Sequence, residues 1–126
     1  MAWRRVLITA IVFITLVFPV TSQPLPQIIS GYVYYANRDN PAKNASIIFI
    51  NENKSEEIHI CADEYGFFAI DVGYLGGYSW RAGEKVKIIA TGINEYGKWE
   101  GNSTIILEEK GYQYIDIIMH TKEKIF

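Results

Sequence analysis

The sequence predicts an all-β fold, a seven-stranded antiparallel β-sandwich with Greek-key connections. Three observations carry that expectation. After residue 22 no stretch keeps a 3.6-residue hydrophobic period for ten residues, so no helix is expected there. Seven short, apolar-rich segments instead follow one another, separated by Gly, Pro, Asn and Asp. The clearest stretch runs from Ile58 to Val72. Ile58, Ile60 and Ala62 share one face, and after a break Phe68, Ile70 and Val72 do the same. Asp63 can bond its own backbone two residues on, and Gly66 accepts positive φ, so this stretch reads as a β-hairpin with one buried face.

The remaining elements follow in chain order. Met1 to Ser22 has the build of a secretory signal: Arg4-Arg5, the uncharged apolar run Val6 to Val20, then small residues at Thr21-Ser22. The apolar run is 15 residues long, shorter than the roughly 17–25 that span a bilayer, and Pro19 breaks a helix at its end. Cleavage before Gln23 is therefore expected, with an uncleaved membrane anchor as the alternative. Residues 23–27 form an extended linker around Pro24 and Pro26. The first strand spans Ile28 to Tyr35, and Ala36 to Asn44 is a loop by composition. Ala45 to Ile50 is apolar on both faces and reads as an interior strand. Gly73 to Gly83 reads as a folded-back connection with four glycines and three aromatics. Glu84 to Gly92 alternates, with Val86, Ile88 and Ala90 inward. Ile93 to Gly101 reads as a second aromatic loop. Asn102 to Leu107 and Tyr112 to Met119 are the last strands, with Ile115, Ile117 and Met119 inward and Tyr114 and Asp116 outward. The domain is expected over 28–120, with a charged tail at 121–126.

Of 12 basic and 14 acidic residues, only Arg4 and Arg5 leave with the leader, so the mature chain holds 10 against 14. That mild acidity, with signs interspersed, lacks the basic footprint of a nucleic-acid binder. Cys61 is the only cysteine, so no intramolecular disulfide forms. It is expected half-buried on its strand, or paired with another chain. His59 and His120 fall on different strands, and no His-x-x-x-His or Cys-x-x-Cys spacing points to a metal. Asp63, Glu64 and Asp71 lack the alternating ladder of a calcium loop. Neither metal nor cofactor is expected, and no convergent catalytic set points to an enzyme.

Four patches resemble, in order, the carboxypeptidase regulatory-like domain of secreted and cell-surface prokaryotic proteins, a transthyretin/Ig-like β-sandwich. Ile29-Ser30-Gly31-Tyr32-Val33 looks like the opening "I-S-G-x-V" strand. Pro41 to Ile50 resembles "P-x-x-x-A-x-V-x-V". Ala62-Asp63-Glu64-Tyr65-Gly66-Phe67-Phe68 resembles "T-D-x-x-G-x-F", with Ala62 in the usual Thr position. Gly77 to Val86 resembles a "G-Y-x-x-G-D-x-V" loop. The resemblance covers Ile28 to about Met119 and implies the fold more than a function. Hydroxyisourate hydrolases share that fold, but the Tyr-Arg-Gly-Ser terminus they use is replaced here by Thr121 to Phe126.

The candidate ligand-binding residues are Tyr78, Trp80, Tyr96 and Trp99, aromatics in Gly-rich connections suited to stacking on sugars or anchoring a protein partner. The bland alternative is that Tyr78 and Trp80 plug the open end of the sandwich. Tyr32, Tyr34, Tyr112 and Tyr114 are expected to stripe an outer face as a second place for a partner. Asn44-Ala45-Ser46, Asn53-Lys54-Ser55 and Asn102-Ser103-Thr104 are glycosylation acceptor motifs at loop or strand edges. Together these readings predict a secreted or cell-surface, non-catalytic module that meets a protein or a surface polysaccharide. The membrane is met only through an uncleaved leader. A carbohydrate-binding accessory protein, with Trp80 and Trp99 exposed and coplanar, is the first alternative. A structural envelope or adhesin subunit with an unpaired apolar edge is the second.

Overall fold

Alternating burial along each strand builds the molecule. The computed structural model describes residues 26–124. It contains β1 (Ile28–Tyr35), β2 (Ser46–Asn51), β3 (Glu56–Cys61), β4 (Phe67–Asp71), β5 (Lys85–Asn94), β6 (Gly97–Ile106), β7 (Tyr112–Tyr114) and β8 (Ile117–Lys124). A 3-10 turn, Tyr74–Gly76, precedes β5. The chain is all-β. Its strands form one hydrogen-bonded path in the order β3-β2-β5-β6-β8-β1-β4, with β7 beside β1. Neighbours are antiparallel except β1 with β7 and β1 with β8, which are parallel. The two ends of the path, β3 and β4, are joined by the short Ala62–Gly66 connection, so the sheet curls back on itself almost as a barrel.

Inward residues from both halves of the path meet in one core: Ile29 and Val33 of β1, Ile47 and Phe49 of β2, Phe68 of β4, Val86, Ile88 and Ala90 of β5, and Ile117 and Met119 of β8, all nearly or wholly buried. Phe49 and Phe68 meet across the interior with ring centroids 5.9 Å apart. β1 has the span expected of it. β2 lies between β3 and β5, although its outer Ile48 and Ile50 are only half-buried.

Five expectations are corrected. The hairpin from Ile58 to Val72 has its turn but not its pairing. The Asp63 carboxylate accepts the Tyr65 and Phe67 N–H groups at 2.8 and 2.9 Å, and Gly66 has φ of 80°. Yet Ala62 N–H donates to Ala45 and Val33 N–H donates to Gly66, drawing β3 to β2 and β4 to β1. The turn thus crosses between opposite ends of the path, and both apolar faces point inward because they line opposite walls.

The expected loop Ile93 to Gly101 is instead the tip of a ten-pair β5–β6 ladder that closes at Asn94 and Gly97. The last expected strand is broken into β7 and β8, giving eight strands among the described residues where seven were expected. β8 runs on to Lys124, into the stretch read as a tail. The break lies beside Gly31, where any Cβ would collide with the Ile115 carbonyl. There Ile115 N–H donates to Ser30 at 2.8 Å. Asp116, expected outward, keeps only 14% of its side chain exposed and accepts the Tyr32 N–H at 3.1 Å. Cys61, expected half-buried, is an exposed free thiol on the outer strand β3. The leader and most of the linker lie outside the described residues.

Candidate functional site

The four aromatic candidates divide between two ends of β5. Trp80 sits where β5 begins. Its N–H donates to the Val72 carbonyl at 3.1 Å, while Gly83 and Leu107 close the lead-in to β5 through N–H bonds to Leu107 and Glu84. The Trp80 side chain is 2% exposed, the largest of the fully buried side chains. Tyr78 packs against it with ring centroids 6.3 Å apart and is half-buried. Trp80 therefore has no face to offer a ligand, and its expected coplanar pairing with Trp99 does not occur. Gly77, with φ of 88°, lets the loop turn back so that the indole enters the core. The indole N–H is buried and without an acceptor among the described residues.

Trp99 sits at the other end, about 23 Å along β5, seven residues from Lys85 to its cross-strand partner Gly92. The turn there is built by Asn94. Its side-chain oxygen accepts both the Tyr96 N–H at 2.9 Å and the Trp99 indole N–H at 2.8 Å, so one carboxamide shapes the tip and orients the ring. Tyr35 meets Trp99 edge-to-face with centroids 5.3 Å apart and planes at 71°. Gly92 makes room, since a Cβ there would stand 2.7 Å from the Tyr35 hydroxyl. Burial raises the Tyr35 pKa above its ordinary value. Trp99 is half-buried, and Tyr96 is 59% exposed.

Two clefts flank Trp99. One, of about 500 Å³, has Tyr35, Tyr96 and Trp99 as its aromatic side and Asp39, Asn40 and Glu95 among its polar groups. The other, of about 400 Å³, is lined by Asn44, Ser46, Thr91, Trp99, Glu100 and Lys122 among others. Lys122 reaches the Glu100 carboxylate at 2.7 Å, and that bond raises the lysine pKa. The structure thus unites Tyr96 with Trp99 and separates both from Tyr78 and Trp80. Sequence reasoning missed Tyr35 and Asn94. Asn94 was detectable, because Asn-Glu-Tyr-Gly between two alternating runs is a tight-turn pattern. Tyr35 was not, because it ends a strand and meets Trp99 only through the curl of the sheet.

The tyrosine stripe is a second surface. Tyr32 stacks on Tyr34 at 6.1 Å and meets Phe67 of β4 at 5.2 Å. Tyr112 and Tyr114 are 63% and 57% exposed beside β1. Asp116 anchors this side. It pairs with Arg38 at 3.4 Å, and its hydrogen bond to Tyr114, with lesser help from desolvation, pushes that phenol's pKa up to about 12.

His59 faces Glu57 at 3.3 Å, but both are more than half exposed on outer strand β3. Among the described residues no three His, Cys, Asp or Glu side chains are grouped to hold a metal. The sequons Asn44, Asn53 and Asn102 are all exposed: Asn44 just before β2, Asn53 in the β2–β3 turn and Asn102 within β6. No family model matches the chain. A search of curated proteins finds no match either.

Proposed function

We propose that the chain is a non-catalytic interaction module, secreted or held at the cell surface, that meets its partner at the Trp99 end. The observation that carries this reading is the 500 Å³ cleft, where rigid aromatic faces stand beside amide and carboxylate groups on a braced hairpin tip. Aromatic rings held in place by a buried frame give area at little entropic cost, which is how recognition surfaces concentrate affinity. On this reading the module is of the carboxypeptidase regulatory-like kind, supported by the four sequence patches and by the all-β path β3-β2-β5-β6-β8-β1-β4.

Asp39 and Glu95 favour a neutral or cationic ligand over an anionic polymer. The ring–amide combination also supports the second reading, an uncharged surface polysaccharide stacked on Tyr96 and Trp99. The structural-subunit reading is the weaker one, because outer strand β3 carries Glu56 and Glu57, charges that discourage edge pairing. The test is fluorescence titration with a panel of neutral polysaccharides and cationic peptides. Binding that Trp99→Ala and Tyr96→Ala lower at least tenfold, and Tyr78→Ala leaves unchanged, supports the reading. Binding that ignores all three contradicts it.

A further inference from the structure

The cleft on the other side of Trp99 contains two polar residues of one glycosylation motif, Asn44 and Ser46. We propose that Asn44 carries an N-linked sugar whose first ring lies in this cleft against the Trp99 indole. The inference rests on the secretion reading, since the modifying enzyme works in the export pathway, but not on the identity of any partner. In the transfer, the Asn44 side-chain nitrogen attacks the anomeric carbon of a lipid-diphosphate-linked oligosaccharide. The new N–C bond forms as the carbon–oxygen bond to the diphosphate breaks. One amide proton is lost, and the lipid diphosphate leaves with the electron pair.

Geometry favours Asn44 as the acceptor. It is exposed, and its backbone is pinned in the left-handed region at φ of 58°, with its N–H donating to the Asp63 carbonyl at 3.1 Å. Asn adopts that conformation more readily than most residues, so the side chain leaves a fixed platform at low cost. The cleft, at about 400 Å³, lies in the ~300–1,000 Å³ range of sites that hold small molecules. Its aromatic wall is already oriented by the Asn94 hydrogen bond, and Thr91 and Glu100 stand by to meet hydroxyls. The other two acceptors are built differently. Asn53 uses its side-chain oxygen to accept the Lys85 N–H at 3.0 Å at the far end of β5. Asn102 projects from mid-strand opposite Ile89. Asn53, at the opposite end of β5 from Trp99, serves as the internal control.

The experiment expresses the full chain, as Trp3→Phe, in a glycosylating secretory host. A second version carries a leader of proven export in place of residues 1–22, so that a failed leader and a failed acceptor give different results. Glycopeptide mass spectrometry reads occupancy, and acrylamide quenching reads Trp99 after glycans are trimmed to one sugar. Ser46→Ala removes the motif without disturbing the Asn44 backbone. The expected result is sugar at Asn44 and quenching of Trp99 about two- to threefold lower than in Ser46→Ala, with Ser55→Ala, which removes the Asn53 motif, leaving quenching unchanged. A secreted protein without sugar at Asn44, or with sugar there but Trp99 as quenchable as in Ser46→Ala, would overturn the proposal.

Discussion

The two ends of β5 start from the same kind of sequence and finish differently. Each brings a tryptophan and a tyrosine close to glycines. At the Trp80 end the eleven residues from Gly73 to Gly83 are long enough to fold back, and the indole disappears into the core. At the Trp99 end the chain turns in two residues, Glu95 and Tyr96, and the ladder holds the ring in register with Gly92. A long connection can carry its aromatic inward, whereas a tight one leaves it where the strand puts it. Sealing and recognition thus separate through loop length rather than through composition.

The largest expected effect tests that separation. Trp80→Ala should destabilise by about 3–5 kcal/mol in urea unfolding, as removal of a buried large aromatic does. Trp99→Ala should cost only about 1–2 kcal/mol, because half-exposed surface returns less on burial. Equal losses would show that both ends are core. Next, Gly92→Ala should cost about 1–3 kcal/mol by displacing the Tyr35 ring, with a Cβ 2.7 Å from its hydroxyl and 3.1 Å from the Met119 methyl. Tyr35 then leaves Trp99, and near-ultraviolet circular dichroism should lose the signal of that pair. Asn94→Ala should cost about 1 kcal/mol and loosen both the turn and the indole, raising Trp99 quenching without touching Trp80.

The sequence made the frame legible and the partners illegible. The alternation of Val86, Ile88 and Ala90 identifies an inward face, and the structure buries all three. Asp63 announced its turn. Alternation cannot say which strand lies alongside, however, so the same pattern that marked Ile58 to Val72 gave no sign that its halves pair elsewhere. For the same reason the sequence could offer a plugging role for Trp80 as an alternative but could not decide between it and exposure. Burial of a loop aromatic depends on where the loop returns, and that is decided by contacts distant in the chain. Asp116 was misread because the β7–β8 break rotates it towards Tyr32, a shift with no local residue signal beyond the close approach of Gly31.

Two smaller effects refine the contrast. Trp80→Phe should cost far less than Trp80→Ala, because the smaller ring also removes a buried N–H that has no acceptor among the described residues. Away from both ends, Tyr114 should ionise at about 12, well above the ordinary 10.0. The sign follows from the folded state holding this proton more tightly. Both states keep it below the ordinary phenol range, and stability is lost as pH climbs from that range through the folded value. Asp116→Asn should return the Tyr114 titration, read by tyrosinate absorbance, towards 10 by removing the carboxylate acceptor.

The most direct measurement compares acrylamide quenching in two single-tryptophan proteins, Trp80→Phe and Trp99→Phe, both in the Trp3→Phe background. The sealed and open ends predict that Trp99 quenches several-fold faster than Trp80, with Trp80 emission blue-shifted. Equal quenching, or a more accessible Trp80, would contradict the assignment of recognition to the Trp99 end.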